Sequence, residues 1–233
     1  MLEIGKAKES ASGALAALGQ ARIRVVAQPT AARVADALRE QISAGQFLPG
    51  SRLPEEAIGE ALGVSRNTVR EAFIELGAER LLVRAPNRGV FVAVLDEPAI
   101  RDIYRARRIL EVGAIRYAVA GLDATGARAA VTEGQRARAA DDSAGVANAN
   151  QHFHRAVVAL AGSARLDRLM AHMLAEMRLV FHTARANPRF YEAFVDDNDA
   201  LCTLLEQGRL EDAAAAMEDY LARSEREVLR AAG

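Results

Sequence analysis

The stretch Gly63-Val64-Ser65-Arg66-Asn67-Thr68-Val69-Arg70-Glu71 reads as a tight turn followed by the first turns of a helix. Gly63 supplies the backbone freedom a sharp inter-helix turn needs, and Ser65 is a good N-cap for a helix beginning at Arg66. Arg66, Asn67 and Arg70 fall in the first two turns, and the two arginines, four residues apart, share a face. Cationic and amide side chains in that position suit contact with base edges and phosphates.

The residues around this stretch read as its support. Pro29-Thr30 opens a helix with Thr30 as cap, and Val34, Leu38 and Ile42 line one face with Ala31 and Ala35 beside them. Gly45 ends it, and residues 47–53 read as a loop turning at Pro49-Gly50. Pro54 begins a short helix through Leu62 that turns Ala57, Ile58, Ala61 and Leu62 inward. The third helix, from Arg66 to about Arg80, offers Val69, Phe73, Ile74, Leu76 and Gly77 to the first two. Residues 81–84 and 90–94 are strand-like, and Ala85-Pro86-Asn87-Arg88-Gly89 between them is turn chemistry. Three helices followed by a hairpin make a winged helix-turn-helix. Two arginines on the exposed face of the third helix, with Arg88-Gly89 at the wing tip, point to DNA.

Composition narrows the classes. Hydrophobic residues make up 51% of the chain, much of it Ala, whereas aromatics are 5% and Trp is absent, which suits a helical protein. Net charge is -1, and residues 29–95 hold 8 Arg against 8 Asp and Glu, so bulk charge does not advertise nucleic acid. Only residues 61–95, with 5 Arg against 3 Glu, carry a surplus of +2, and DNA binding must rest on where the arginines stand. Cys202 is the only cysteine, which rules out an intrachain disulfide framework and a Cys-rich zinc site. No apolar run reaches membrane-spanning length and no secretory signal is visible, so the expected location is cytoplasmic.

Residues 33–94 resemble the N-terminal domain of the GntR family of bacterial transcription regulators. The resemblance is carried by Ala37-Leu38-Arg39-Glu40-Gln41-Ile42, Leu48-Pro49-Gly50-Ser51-Arg52-Leu53, Leu62-Gly63-Val64-Ser65-Arg66, Val69-Arg70-Glu71-Ala72 and Asn87-Arg88-Gly89 before Phe91-Val92. It implies that Arg66 and Arg70 contact guanine edges and phosphates, that Ser65 and Thr68 contact phosphates, and that Arg88-Gly89 reaches the minor groove. Asn67 stands where the family often has Pro, Glu56 where many members carry Arg, and Glu79-Arg80 where the family often has Glu-Gly. These departures bear on operator choice.

Beyond Asp96-Glu97-Pro98, read as a linker, the pattern is helical: residues 98–120, 125–141, 145–161, 163–186, 189–207 and 209–231, with Gly121, Gly162, Gly208 and Asn187-Pro188 at the breaks. Six helices with short loops imply an antiparallel bundle. Arg107-Arg108-Ile109-Leu110-Glu111, Phe153-His154-Arg155-Ala156 and Gly208 before Asp212-Ala213-Ala214 resemble the FCD effector domain of the FadR branch. The expected organisation is a flexible arm (1–28), a winged helix-turn-helix domain (29–95), a linker (96–98) and a helical effector-binding and dimerisation domain (99–233).

The FCD resemblance implies an effector site. Many such domains hold a metal with an Asp four residues before a His and two further His on the last helices. Laid on this chain, those positions become Asn150, His154, Asn198 and Tyr220, so only His154 is an ordinary ligand for a divalent metal. No metal or other cofactor is expected. If Arg107, Asn150, His154, Asn198 and Tyr220 converge, they offer donors to a small carboxylate-bearing molecule, with Arg107 as the carboxylate partner. The plainer alternative is a set of satisfied core polar groups that hold the bundle in register. His152, His172 and His182 match no ligand spacing, and Met170, Met173, Met177 and Val180 recur as a core or dimer stripe. Catalysis would need a second acid, base or nucleophile beside His154, and no motif supplies one. The expectation is a homodimeric repressor that binds a pseudo-palindromic DNA operator under control of a small effector; the alternative is a constitutive dimeric DNA-binding protein.

Overall fold

The computed structural model describes residues 31–119, 123–183 and 190–232. The N-terminal arm, the Thr30 cap, Gly121 and Asn187-Pro188 lie outside them. Contacts divide the chain into two compact units: the chain up to Leu95 together with Ala175–Thr183, and Asp96–Leu174 together with Ala184–Gly233.

In the first unit, α1 (Ala31–Ser43), α2 (Glu55–Leu62) and α3 (Arg66–Ala78) enclose a core in which Val34, Leu38, Ile42, Ile58, Leu62 and Val69 are buried. The α2–α3 turn forms as its residues dictate. Gly63 takes φ 69°, and the Val64 N–H donates to the Gly59 carbonyl at 2.9 Å, which closes the end of α2. The chain passes so close that a Cβ on Gly59 would stand 3.0 Å from the Val64 carbonyl. Ser65 caps α3, its Oγ accepting from the Thr68 N–H at 3.1 Å. The buried face of α3 is Val69, Ala72, Phe73 and Leu76; Ile74 and Gly77, expected to pack inward, are exposed. At 3.6 residues per turn, Ile74 falls outside the stripe that Val69, Ala72, Phe73 and Leu76 define.

The wing has a third strand. β2 (Leu82–Ala85) and β3 (Gly89–Val92) form the hairpin, and β1 (Arg52–Leu53), within the expected loop, pairs antiparallel with β3 to give the order β1-β3-β2. Two residues are too short a run for alternation to reveal as a strand. At the hairpin tip the Arg88 N–H donates to the Ala85 carbonyl at 3.1 Å, with Pro86 and Asn87 between them. Asn87 has φ 59°, the positive value a type II turn needs after its proline.

The second unit is helical. Asp96-Glu97-Pro98 is not a linker but the start of α4 (Glu97–Arg107): the Asp96 carboxylate accepts from the Ala99 N–H at 2.9 Å, and Pro98 lies in the first turn, where no N–H is needed. The expected long helix is broken by a π turn (Arg108–Val112) before α5 (Gly113–Arg116). The rest follows the predicted order: α6 (Thr125–Ala139), α7 (Ser143–Ala159), α8 (Ala164–Thr183, of which Ala175–Thr183 belongs to the first unit), a 3-10 turn (Phe190–Phe194), α9 (Val195–Glu206) and α10 (Leu210–Ala232). Gly134 of α6 lets α7 approach closely, since a Cβ there would lie 3.4 Å from the Ala149 Cβ. Of the expected stripe, Met170, Met177 and Val180 are buried and Met173 is half-buried.

Candidate functional site

In the first unit, Ser65, Arg66, Asn67 and Arg70 are exposed at the start of α3, with Thr68 half-buried. Each long polar side chain has a partner from its own surroundings. Arg66 pairs with Glu56, the Arg70 Nε donates to Glu55 Oε2 at 2.6 Å, and the Asn67 Nδ2 donates to Glu71 Oε1 at 2.8 Å. Arg88 is exposed at the wing tip beside Gly89, whose φ of +109° favours glycine. A groove of about 270 Å³ lies between α2, α3 and the wing, lined by Arg52, Glu55, Glu56, Arg66 and Gly89. Arg52, which sequence reasoning passed over, lies against the wing, with its Nε 3.1 Å from where a Gly89 Cβ would stand. Its signal was its place in the Leu48–Leu53 motif.

In the second unit the five expected effector residues are all buried, and one chain of hydrogen bonds joins them through a sixth residue, Glu111. The Arg107 Nε donates to Glu111 Oε1 at 2.8 Å, and Glu111 Oε2 lies 2.6 Å from His154 Nδ1. His154 Nε2 lies 3.2 Å from the Tyr220 hydroxyl, which donates to Asn150 Oδ1 at 3.0 Å; that oxygen also accepts from Asn198 Nδ2 at 2.9 Å. Arg107 further lies over the Tyr104 ring, 5.2 Å from its centroid, and the Tyr104 hydroxyl is 2.6 Å from Ser224 Oγ. Glu111 was legible only as the i, i+4 partner of Arg107. It lies in the π turn, on the side of the helix that also buries Ile100, Tyr104 and Arg107, and is fully buried, whereas Ile109 on the opposite side is 74% exposed.

Burial raises the cost of the Glu111 carboxylate, but the Arg107 charge and the His154 contact outweigh it and hold the group below its ordinary range. Burial and the Arg107 charge lower the His154 pKa despite Glu111, so the imidazole is neutral at neutral pH. An ionised Glu111 only accepts, so Nδ1 carries the imidazole proton and Nε2 is a bare acceptor. Tyr220, kept protonated by burial, therefore has one proton for two acceptors, His154 Nε2 and Asn150 Oδ1. Two buried atoms of the cluster, Arg107 Nη2 and Asn198 Oδ1, have no hydrogen-bond partner among the described residues. A cavity of about 10 Å³ beside Asn150 and Asn198, also lined by Gly134 and Val195, has room for about one water.

The donor set does not fit a divalent metal. Glu111 and His154 supply one carboxylate and one imidazole, the remaining groups are amides, a phenol and a cation, and among the described residues no three His, Cys, Asp or Glu side chains converge. His152 pairs with Glu133 at 2.8 Å on the exposed side, away from any ligand set. No helix among the described residues is long and apolar enough to cross a membrane.

A winged helix-turn-helix with an arginine-bearing third helix, in one chain with a helical bundle that buries a polar cluster, defines a DNA-binding transcription regulator with an effector-type domain. Comparison with known proteins agrees. The model of bacterial regulatory proteins of the gntR family matches residues 30–92, and the FCD domain model matches residues 102–223. The chain belongs to the GntR family of transcription regulators, in its FCD-bearing branch. A GntR-type regulator structure from Rhodococcus sp. RHA1 is 38% identical, with a TM-score of 0.81, over 86% of this chain and 98% of that one. The Nta operon transcriptional regulator of Aminobacter aminovorans is 39% identical over 72 residues, 31% of this chain and 34% of that protein. The galactonate operon transcriptional repressor of Escherichia coli is 45% identical over 62 residues, 26% of this chain and 27% of that protein. The match spans about a third of these two relatives' length, and 58% of that of the regulator McbR of Escherichia coli. Families and relatives are regulators, not enzymes.

Proposed function

We propose that this chain is a cytoplasmic, homodimeric repressor whose hold on a pseudo-palindromic operator is adjusted by a small carboxylate-bearing metabolite. Ser65, Arg66, Asn67, Thr68 and Arg70 meet the major groove, and Arg88 with Gly89 meets the minor groove or its phosphates. The metabolite binds at Arg107, Asn150, His154, Asn198 and Tyr220, without a metal. The observation that carries the effector reading is the pair of unpaired buried atoms, Arg107 Nη2 and Asn198 Oδ1. A buried donor and a buried acceptor left open are costly unless something completes them, and a hydroxy acid supplies both complements. Repression draws support from relatives named as repressors of a galactonate operon and of a mannosyl-D-glycerate system.

The test is thermal unfolding of the full chain against a panel of mono-, di- and sugar carboxylates. A true effector at about 100-fold its Kd adds about 2.7 kcal/mol to stability. It must also change retention of the DNA upstream of the chain's own gene in a mobility-shift assay, because only differential affinity shifts occupancy. The constitutive reading has its own support in the near-closed cluster, with about 10 Å³ of space beside it. A panel in which no acid raises the melting temperature decides for that reading.

A further inference from the structure

The pairing of Arg66 with Glu56 and of Arg70 with Glu55 sets two cations of the reading face against two acids from the first turn of α2. The arginine side chains remain 61% and 57% exposed, so DNA reaches them without unfolding. Arg52 and Arg88, on the same unit, have no side-chain ion pair among the described residues. Arg66 and Arg70 are thus neutralised within the chain, whereas Arg52 and Arg88 are not.

We infer that Glu55 and Glu56 are specificity-determining residues that hold Arg70 and Arg66 in ion pairs which a phosphate exchanges poorly and a guanine edge exchanges well. The inference rests on the reading of α3 as the DNA-contacting helix. An exposed ion pair is weakly held, so the arginines are not locked. At an unrelated sequence, an arginine that moves to a phosphate leaves its carboxylate unpaired within a Debye length of the polyanion, and the acid's repulsion offsets the new contact. At a matching site the guanidinium takes guanine O6 and N7 with one edge. Its five N–H donors leave another edge for the carboxylate, which then orients the fork instead of opposing it. The acids therefore penalise unrelated DNA more than the operator. Glu56 thereby becomes part of the reading device.

The experiment uses the full chain, its Glu56→Gln variant and the Glu55→Gln, Glu56→Gln double variant. Binding is read by fluorescence anisotropy across a sodium chloride series, on a random-sequence duplex and on a duplex enriched by the wild-type chain from a random library. The expected result is a roughly tenfold gain on the random duplex with a log–log salt slope steeper by about 1–2, one phosphate contact per arginine released. The gain on the enriched duplex is smaller, so the ratio between the two falls. In an Arg66→Ala background the Glu56→Gln gain disappears. Glu55 sits at a helix N-terminus, where its charge favours folding, so Glu56→Gln alone decides the matter if the double variant unfolds. Unchanged random-duplex affinity and slope in folded Glu56→Gln overturn the inference, as does a gain that persists without Arg66. If the Arg66→Ala, Arg70→Ala variant binds both duplexes like the wild type, the reading of α3 itself has failed.

Discussion

The carboxylate of Glu111 and the imidazole of His154 are 2.6 Å apart in the interior of the helical unit, 43 residues apart in sequence. With Arg107 on its other oxygen, Glu111 is the hub through which the cation, the histidine and the tyrosine–asparagine chain are joined. A group of one cation, one anion and neutral hydrogen-bonding side chains is electrically balanced. That balance is what makes its burial tolerable.

Glu111→Gln breaks the balance. Arg107 would keep its charge in a site with no counter-ion, and loss of one partner of a buried pair costs about 3–5 kcal/mol. The midpoint of urea unfolding should fall accordingly, with little change in its slope. A midpoint within error of the wild type would mean that water or another acid takes over.

Stability should fall as pH falls, in two windows. His154 is neutral in the fold with its pKa below the ordinary 6.5, so the unfolded chain takes up the proton first and stability is lost as pH drops below that value. Glu111 is held below its ordinary 4.5, so its contribution is present above that value and is lost as pH falls through the lower folded one. Melting temperature followed from pH 8 downward should therefore be flat and then decline below 6.5. His154→Gln should remove the first decline and leave the second.

Arg66→Ala and Arg70→Ala should each weaken binding to an enriched operator by about 1–3 kcal/mol and relax selection at the base each one reads. Arg88→Ala should weaken all duplexes alike and reduce the salt slope by about 1. Equilibrium titration at fixed and then varied salt separates these behaviours.

Arg80 has φ 59°, in the left-handed region that favours glycine. A left-handed non-glycine residue costs about 1–2 kcal/mol, partly offset by the greater entropy glycine loses on folding. Arg80→Gly should thus stabilise the chain by roughly 0.5–1 kcal/mol in chemical denaturation. A loss would show that the contacts of the Arg80 side chain outweigh the backbone strain.

Much of the winged unit was legible because its signals are local. Gly63 and Ser65 act within a few residues of themselves, and the Gly63 φ and the Ser65 cap follow from their own chemistry. The stripe of Val34, Leu38 and Ile42 likewise depends only on helical period. Ile74 misled because an apolar residue beside a buried face resembles one within it. β1 was hidden because its pairing with Phe91 and Val90 is a relation between distant segments. In the helical unit, Arg107, Asn150, His154, Asn198 and Tyr220 were picked out as a group, but the resemblance that aligned them had no place for Glu111 as their connector.

The sequence by itself determined the helix periods of the winged unit, the Ser65 cap, the turn at Pro86-Asn87 and the motifs that mark a GntR-type regulator with an FCD domain, because each depends on residues close together in the chain. Tertiary structure alone decided that Arg66 and Arg70 meet Glu56 and Glu55, and that Glu111, beside its helical neighbour Arg107, meets His154. Those pairings depend on how α2 crosses α3 and on how the Arg108–Val112 turn packs against α7. Charge interactions act through space, and only packing sets which charges become neighbours.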